Sequence, residues 1–225
     1  MAISFDIIQA AAWLPGCTGA VPATPFPLRI FNDDAPNTKG LALPIKRKLS
    51  TLSKSALLTL SACGNAETLA DVPFVFSSRW GEWNRELNLL FERAETGMVS
   101  QGGFSLSVHN TVPSLFTLMY KNRQNYTAIS AGTSSLEAAF LQAALWLKRY
   151  ERVLLCYGEE SAPELPGVAE KIDAGTLSVL IGRGNAFTLD AVPAKENSPI
   201  GIPALLKALA AGTPVAGTTI RLTPQ

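Results

Sequence analysis

Histidine is almost missing from this chain: 225 residues contain one, His109. A multi-histidine metal site is excluded, and a histidine general base has only this residue to use. Cysteine is nearly as sparse. Cys17, Cys63 and Cys156 lie far apart, with no CxxC pair and no zinc spacing. They read as small buried apolar residues of a protein kept in a reducing cytoplasm. Charged residues make up only 16% of the chain and nearly cancel, leaving a formal +1. That balance argues against disorder and against nucleic-acid binding. Long apolar runs are also lacking. The stretch from Ile7 to Pro15 is too short to span a bilayer. The N-terminus has no basic region, and Asp6 interrupts its apolar residues, so it does not read as a signal peptide. No internal repeat is evident. What remains is an apolar chain long enough to bury a sizeable core, read as one domain over residues 1–225.

Periodicity sets out the elements. Ile3 to Ile8 reads as a first strand, and residues 15–45, with Pro22, Pro25 and Pro27, as extended connection. Ser50 is placed to cap a helix whose apolar face is Leu52, Ala56, Leu57 and Leu60. Phe74 to Phe76 is a short buried strand. Trp80, Trp83, Leu87, Leu90, Phe91 and Ala94 then recur at helical spacing up to Gly97, and the tryptophans read as core or interface packing. Gln101-Gly102-Gly103 reads as a turn, Phe104 to Val108 as a strand, and residues 111–121 as a helix. A helix follows with Leu136, Ala139, Phe140, Ala143, Ala144 and Leu147 on one face, apolar around most of its girth. Val153 to Tyr157 and Leu177 to Ile181 read as strands, the first apolar without alternation and so buried on both faces. A helix at 203–211 with Pro203 in its first turn and a strand at 218–222 complete the chain. Strands alternating with helices imply a layered α/β protein.

The most informative stretch runs from Asn125 to Glu137. It reads as a strand, with Tyr126, Ala128 and Ser130 on one side and Thr127 and Ile129 on the other, turning sharply into a helix. Ala131 and Gly132 permit the tight turn, and Thr133, Ser134 and Ser135 are helix-starting residues. Such an elbow presents one side chain at a helix N-terminus, where negative charge costs less and many enzymes place a nucleophile. Here the tip is glycine.

Other motifs are weaker. Lys46-Arg47-Lys48 reads as a solvated approach to a helix, or else as a landing spot for an acidic partner. Gly182-Arg183-Gly184 lacks the third glycine of a dinucleotide fingerprint and reads as a turn. Glu159-Glu160 has no second ligand cluster and reads as a solvated loop. Asn125-Tyr126-Thr127 matches a glycosylation sequon but falls on a strand read as buried. His109 reads as structural or interfacial, unless Ser130, Thr133 or Ser134 lies within its reach.

Four pieces together resemble the N-terminal half of the β-ketoacyl synthases, which have the thiolase fold. Phe76 to Glu82 is similar to their early glycine-containing strand-to-helix turn, and Phe104 to Asn110 to the stretch leading into the helix before the active site. Tyr126 to Leu136 is similar to their nucleophile elbow, and Val153 to Glu159 to the strand and acidic segment that follow it. Ser-Val-His-Asn together with Ala-Ile-Ser-Ala-Gly resembles a short branch, the truncated chain-length factors of aryl polyene clusters. The resemblance implies a thiolase-like, layered α/β/α fold with a mixed sheet.

The chain also departs from that family's pattern. Gly132 stands at the nucleophile-equivalent position, and a one-residue slip would put Thr133 there. The family's two catalytic histidines and lysine lie in its C-terminal half, and no histidine follows His109. The resemblance therefore implies a non-catalytic subunit without cofactor, cytoplasmic, paired with an active ketosynthase as a heterodimer and met transiently by an acyl carrier protein. Tunnel or interface candidates carried over are His109, Asn110, Leu115, Phe116, Leu118, Met119, Tyr126, Ile129, Ser130, Thr133 and Ser134, with two of the four apolar residues Leu115, Phe116, Leu118 and Met119 expected to face the tunnel. Two rival readings are a serine-dependent acyltransferase or hydrolase using Ser130 or Ser134 with His109, and a self-associating structural protein.

Overall fold

A computed structural model describes residues 2–17, 23–41, 48–162, 173–192 and 198–225. β1 (Ile3–Trp13) runs on through the apolar stretch beyond Ile8. β2 (Leu28–Phe31) lies parallel to it, inside the proline-rich segment read as connection. The prolines stand just before this strand, and the Pro27 carbonyl accepts from the Ala10 N–H at 2.9 Å. α1 (Thr51–Ser61) is capped as expected, with Ser50 Oγ accepting from the Ser53 N–H at 2.9 Å. The short α2 (Ala66–Ala70), capped by Asn65, left too few turns for a periodic signal. β3 (Phe74–Ser77) and α3 (Trp83–Thr96) follow, and Gly97 ends α3 at φ 73°. The strand expected at 104–108 is not formed. Ser100 instead caps α4 (Gln101–Ser105), and Gly103 comes so close to α3 that a Cβ there would lie 2.9 Å from a Leu89 methyl carbon.

α5 (Thr111–Tyr120), β4 (Tyr126–Ile129), α6 (Ser135–Trp146), β5 (Arg152–Glu159), β6 (Gly175–Ala191), α7 (Ile202–Ala211), β7 (Val215–Ala216) and β8 (Ile220–Pro224) complete the described elements. Gly182-Arg183-Gly184 is not a turn but lies inside the long β6. Phe5 pairs with Phe187 and Asp6 with Gly182, so residues 183–186 bulge out of the ladder. The Asp6 carboxylate accepts from the Asn185 and Ala186 N–H groups at 2.9 Å each. Any side chain at Gly184 would collide with that carboxylate.

The strands form one mixed sheet in the order β2-β1-β6-β5-β3-β4, with β8 joined to β6 and β7 to β8. β3, β4 and β5 are mutually parallel, whereas β6 is antiparallel to β1, β5 and β8. Side-chain alternation divides the core in two. Val75, Val153 and Leu155 face α6 and α7, packing with Leu136, Phe140 and Leu205. Phe74, Phe76, Leu154 and Cys156 face the other way, packing with Leu52, Leu57 and Phe116 of α1 and α5. Helices thus cover both faces of the central strands. This is the layered α/β/α arrangement around a mixed sheet that the resemblance implies.

The start of α6 is locked by a buried carboxylate. Glu137 has no solvent exposure. Its oxygens accept from the N–H groups of Ile200 (3.2 Å), Thr218 (3.1 Å), Thr219 (2.6 Å) and Ile220 (3.3 Å), and from the hydroxyls of Thr218 and Thr219. Gly217 leaves room for it, since a Cβ there would stand 2.2 Å from Oε1. Burial acts to raise the carboxyl, but the hydrogen bonds, those from Thr219 foremost, outweigh it and hold the group below its ordinary value. A depressed carboxyl contributes stability above its unfolded pKa, and that stability is lost as pH falls through the lower, folded value.

Glu137→Ala is expected to destabilise the protein by about 3 kcal/mol or more, because several buried donors lose their acceptor together. Gly217→Ala should also destabilise by displacing the carboxylate. Denaturant melts between neutral pH and about pH 3 check both the loss and its sign: the wild type loses stability on acidification, and Glu137→Ala loses less.

Candidate functional site

The parallel strands β3, β4 and β5 end side by side, and their carboxyl ends gather the residues singled out in the sequence, where α/β sheets commonly bind ligands. After Ile129 the chain turns through Ala131 into Gly132, which has φ +57°, and a short 3-10 turn, Gly132–Ser134, leads into α6. The left-handed conformation suits glycine. The elbow tip points outward, and a Cβ on Gly132 would have no heavy atom within 4 Å. Capping differs from the expectation: Ser134, the residue before α6, makes no side-chain cap bond. Ser135 braces the turn instead, its hydroxyl donating to the Gly132 carbonyl at 2.7 Å and accepting from the Ala131 N–H at 3.0 Å.

The Ile129 carbonyl is the hub beneath the elbow. It accepts from the Ser78 N–H at 3.2 Å and the Ser77 hydroxyl at 3.1 Å, and it lies 3.0 Å from His109 Nε2. A carbonyl cannot donate, so Nε2 carries the proton in that contact. The ring packs on Phe76 with centroids 5.6 Å apart. Its Nδ1 faces Gly81, where a Cβ would come within 2.8 Å; Gly81 also has φ +62°. The lone histidine therefore ties the segment before α5 to the end of β4. Ser130 donates to the Arg79 carbonyl at 3.0 Å, and Ser134 shares a 2.6 Å bond with Thr218. Thr133 and Asn110 are exposed.

The acidic pair after β5 is not a solvated loop. Glu159 and Glu160 are both buried. Glu159 accepts from the Arg79 N–H, the Ser78 hydroxyl at 3.1 Å and the Trp80 N–H at 3.4 Å. Glu160 accepts from the Asn84 N–H at 3.1 Å. Burial is the main cause that raises both carboxyls above the ordinary range, and the nearby Glu82 adds to it at Glu160. Glu82 itself accepts from the Ser50 and Ser53 hydroxyls at 2.8 and 2.5 Å. Sequence inspection missed this carboxylate set, because each acceptor finds donors that are distant in the chain. The only hint was polar Ser-Ser-Arg directly after a buried strand.

The four apolar candidates of α5 separate. Leu115 and Phe116 are buried in the protein's own core, Phe116 against Phe74 with centroids 4.8 Å apart. Met119 is half-buried at a cavity of about 320 Å³ shared with Leu41 and Tyr120, and Leu118 is 72% exposed. Tyr126 is exposed and Ile129 half-buried, so β4 is a sheet edge rather than the buried strand expected. Cys63 and Cys156 are buried, but Cys17 is exposed, contrary to expectation. Burial pushes the Cys156 thiol up to about 12 and the Cys63 thiol up as well, which suppresses the reactive thiolates. Among the described residues no group of His, Cys, Asp and Glu is placed to hold a metal ion, and no helix is long and apolar enough to cross a membrane. Of the basic run only Lys48 lies within the described residues, exposed, its carbonyl accepting from Arg85 at 2.7 Å.

Residues 25–199 match the family described as beta-ketoacyl synthase, N-terminal domain. A chain from the complex of the ketosynthase ApeO with its chain length factor ApeC, from Xenorhabdus doucetiae, superposes with a TM-score of 0.69 at 22% identity, over 98% of both chains. A β-ketoacyl synthase from Burkholderia phymatum superposes with a TM-score of 0.52 at 12% identity, over 82% of this chain and 54% of its own. No curated protein sequence matches significantly. With its elbow, its Glu159 anchor and its strand order in place, the chain belongs to the β-ketoacyl synthase family, as a protein of that family's N-terminal domain.

Proposed function

We propose that this protein is a non-catalytic ketosynthase-like subunit of the chain-length-factor type. It pairs with an active β-ketoacyl synthase and shapes the acyl tunnel in type II polyketide or aryl polyene assembly. Gly132 carries this reading. Condensation needs a thiolate to hold the acyl chain and donors to stabilise the developing enolate. The elbow that would present the thiolate has a hydrogen atom in its place, and the chain's single histidine is bonded to a backbone carbonyl. The similar structure that spans this chain end to end comes from a complex of a ketosynthase with its chain length factor, which supports a paired state. An acyl carrier protein would deliver the growing chain to the active subunit and touch this one transiently.

The edge of β4 supports the pairing as well. Asn125 and Ile129 direct their carbonyls at β3, accepting from the Phe74 and Ser78 N–H groups at 3.0 and 3.2 Å. By strand alternation, Tyr126 and Ala128 direct their backbone groups to the outer side. Among the described residues no strand covers that side, and an open edge invites another chain; α5 also exposes Leu118. Leu118 is the α5 side chain best placed to project into a shared tunnel. Truncating Phe116 would instead hollow out the core, at about 3–5 kcal/mol.

These outcomes test the proposal. Co-expressed with the active ketosynthase of its own pathway, the protein should purify with it at equal stoichiometry. Ala128→Pro removes an outward donor without touching the β3 ladder and should abolish that capture; recovery of the protein free of any ketosynthase would sink the pairing. Incubated with acyl-loaded carrier protein and weighed intact, the protein should gain no acyl mass. Gly132→Cys should gain at most an acyl group and form no carbon–carbon bond, so condensation by the purified variant would overturn the non-catalytic reading. In the complex, Leu118→Trp should shorten the products while initial condensation changes less than about twofold, because the partner's reacting groups are untouched. Parental product lengths from stable Leu118→Trp and Met119→Ala complexes would show that α5 does not measure the chain.

A further inference from the structure

α3 is long enough to need a cover on both sides, and among the described residues only the side toward α4 has one. Its 14 residues span about 21 Å, yet none of them is buried. The helix is nevertheless two-faced. One side, with Asn84, Arg85, Asn88 and Leu89, lines a polar cavity of about 530 Å³ that it shares with α1 and α4. The opposite side carries Leu87, Leu90, Phe91 and Ala94, at the spacing of a helix-pairing seam; Leu87 is half-buried and the other three are exposed. Leu90 is 65% and Phe91 52% exposed, and Met98, just beyond the helix, is 70% exposed. Patches of this kind mark interaction sites.

The charges beside the seam indicate what covers it. Glu86 and Arg93 are seven residues apart and lie on the same flank of the stripe. When two copies of one helix pack antiparallel about a two-fold axis, like flanks face each other. With the axis between Leu89 and Leu90, Glu86 faces Arg93 of the second copy, and Arg93 faces its Glu86. The apolar residues meet along the middle. We propose that the outer face of α3 docks on α3 of a second copy of this chain, antiparallel across a two-fold axis. The contact is isologous, as closed dimers require, and it is separate from the β4 edge. It stands whether or not β4 engages a ketosynthase. If both contacts form, the assembly holds two copies of each subunit.

The test is the oligomeric state of the full chain, by sedimentation equilibrium, in the parent and in charge-reversed variants. Glu86→Arg alone and Arg93→Glu alone each place two like-charged pairs across the axis, and each should weaken dimerisation about tenfold. The double reversal should restore it. In a Cys17→Ser background, Leu90→Cys lies next to the axis and should give a disulfide-linked dimer under mild oxidation. A monomeric parent, a dimer indifferent to the single reversals, or failure of Leu90→Cys to cross-link would each overturn the proposal. Since Ala128→Pro acts only on β4, a dimer that survives that change while responding to the reversals separates this contact from the edge-strand pairing.

Discussion

The elbow depends on one carboxylate that water does not reach. Glu137 sits in the first turn of α6 and gathers the donors of a segment more than sixty residues downstream, from Ile200 to Ile220. A carboxylate in this position would be costly if unpaired, and its charge is tolerated because four backbone N–H groups and two hydroxyls surround it. The same bonds hold Thr218 against Ser134, so the turn, the helix and the C-terminal strands are fixed as one unit. Gly217 is part of that unit because any side chain there would occupy the carboxylate's space.

Acidic residues serve the same purpose around the rest of the site. Glu159 satisfies the N–H groups of the loop after β3, Glu160 that of Asn84 at the start of α3, and Glu82 the hydroxyls that begin α1. These bonds form a frame around the elbow, whose tip, Gly132, carries no side chain. Together with the histidine bound to the Ile129 carbonyl, the frame holds the elbow without a side chain at its tip: the bonds run through backbone groups, the Gly132 carbonyl among them, and through the Ser135 hydroxyl.

Part of the protein's exposed apolar surface lies on α3, α5 and β4. Among the described residues β4 has no strand on its outer side, α5 exposes Leu118, and α3 exposes Leu90, Phe91 and Ala94. The buried core, in contrast, is complete on both sides of the central strands.

Much was legible in the sequence because the signals were local. The Ser50 cap, the apolar face of α1, the non-alternating β5 and the tight Ala131-Gly132 turn each depend on neighbours a few residues away, and each formed as read. So did the helical period of α3, but period alone does not say which side of a helix is covered, and the side with Leu90 and Phe91 proved to be exposed. The proline-flanked β2 needed β1 as its partner to become a strand, and the glycines at 182 and 184 needed Asp6 to become a bulge rather than a turn. Glu159 and Glu160 looked like solvated charges because their donors lie about eighty residues upstream. The sequence by itself determined most of the helices and strands, the glycine at the elbow tip and the family resemblance, all carried by short-range pattern. Only the tertiary structure decided which carboxylates are buried, where His109 points and which apolar faces stay open, because burial and hydrogen bonding are settled by contacts between segments that no local pattern records.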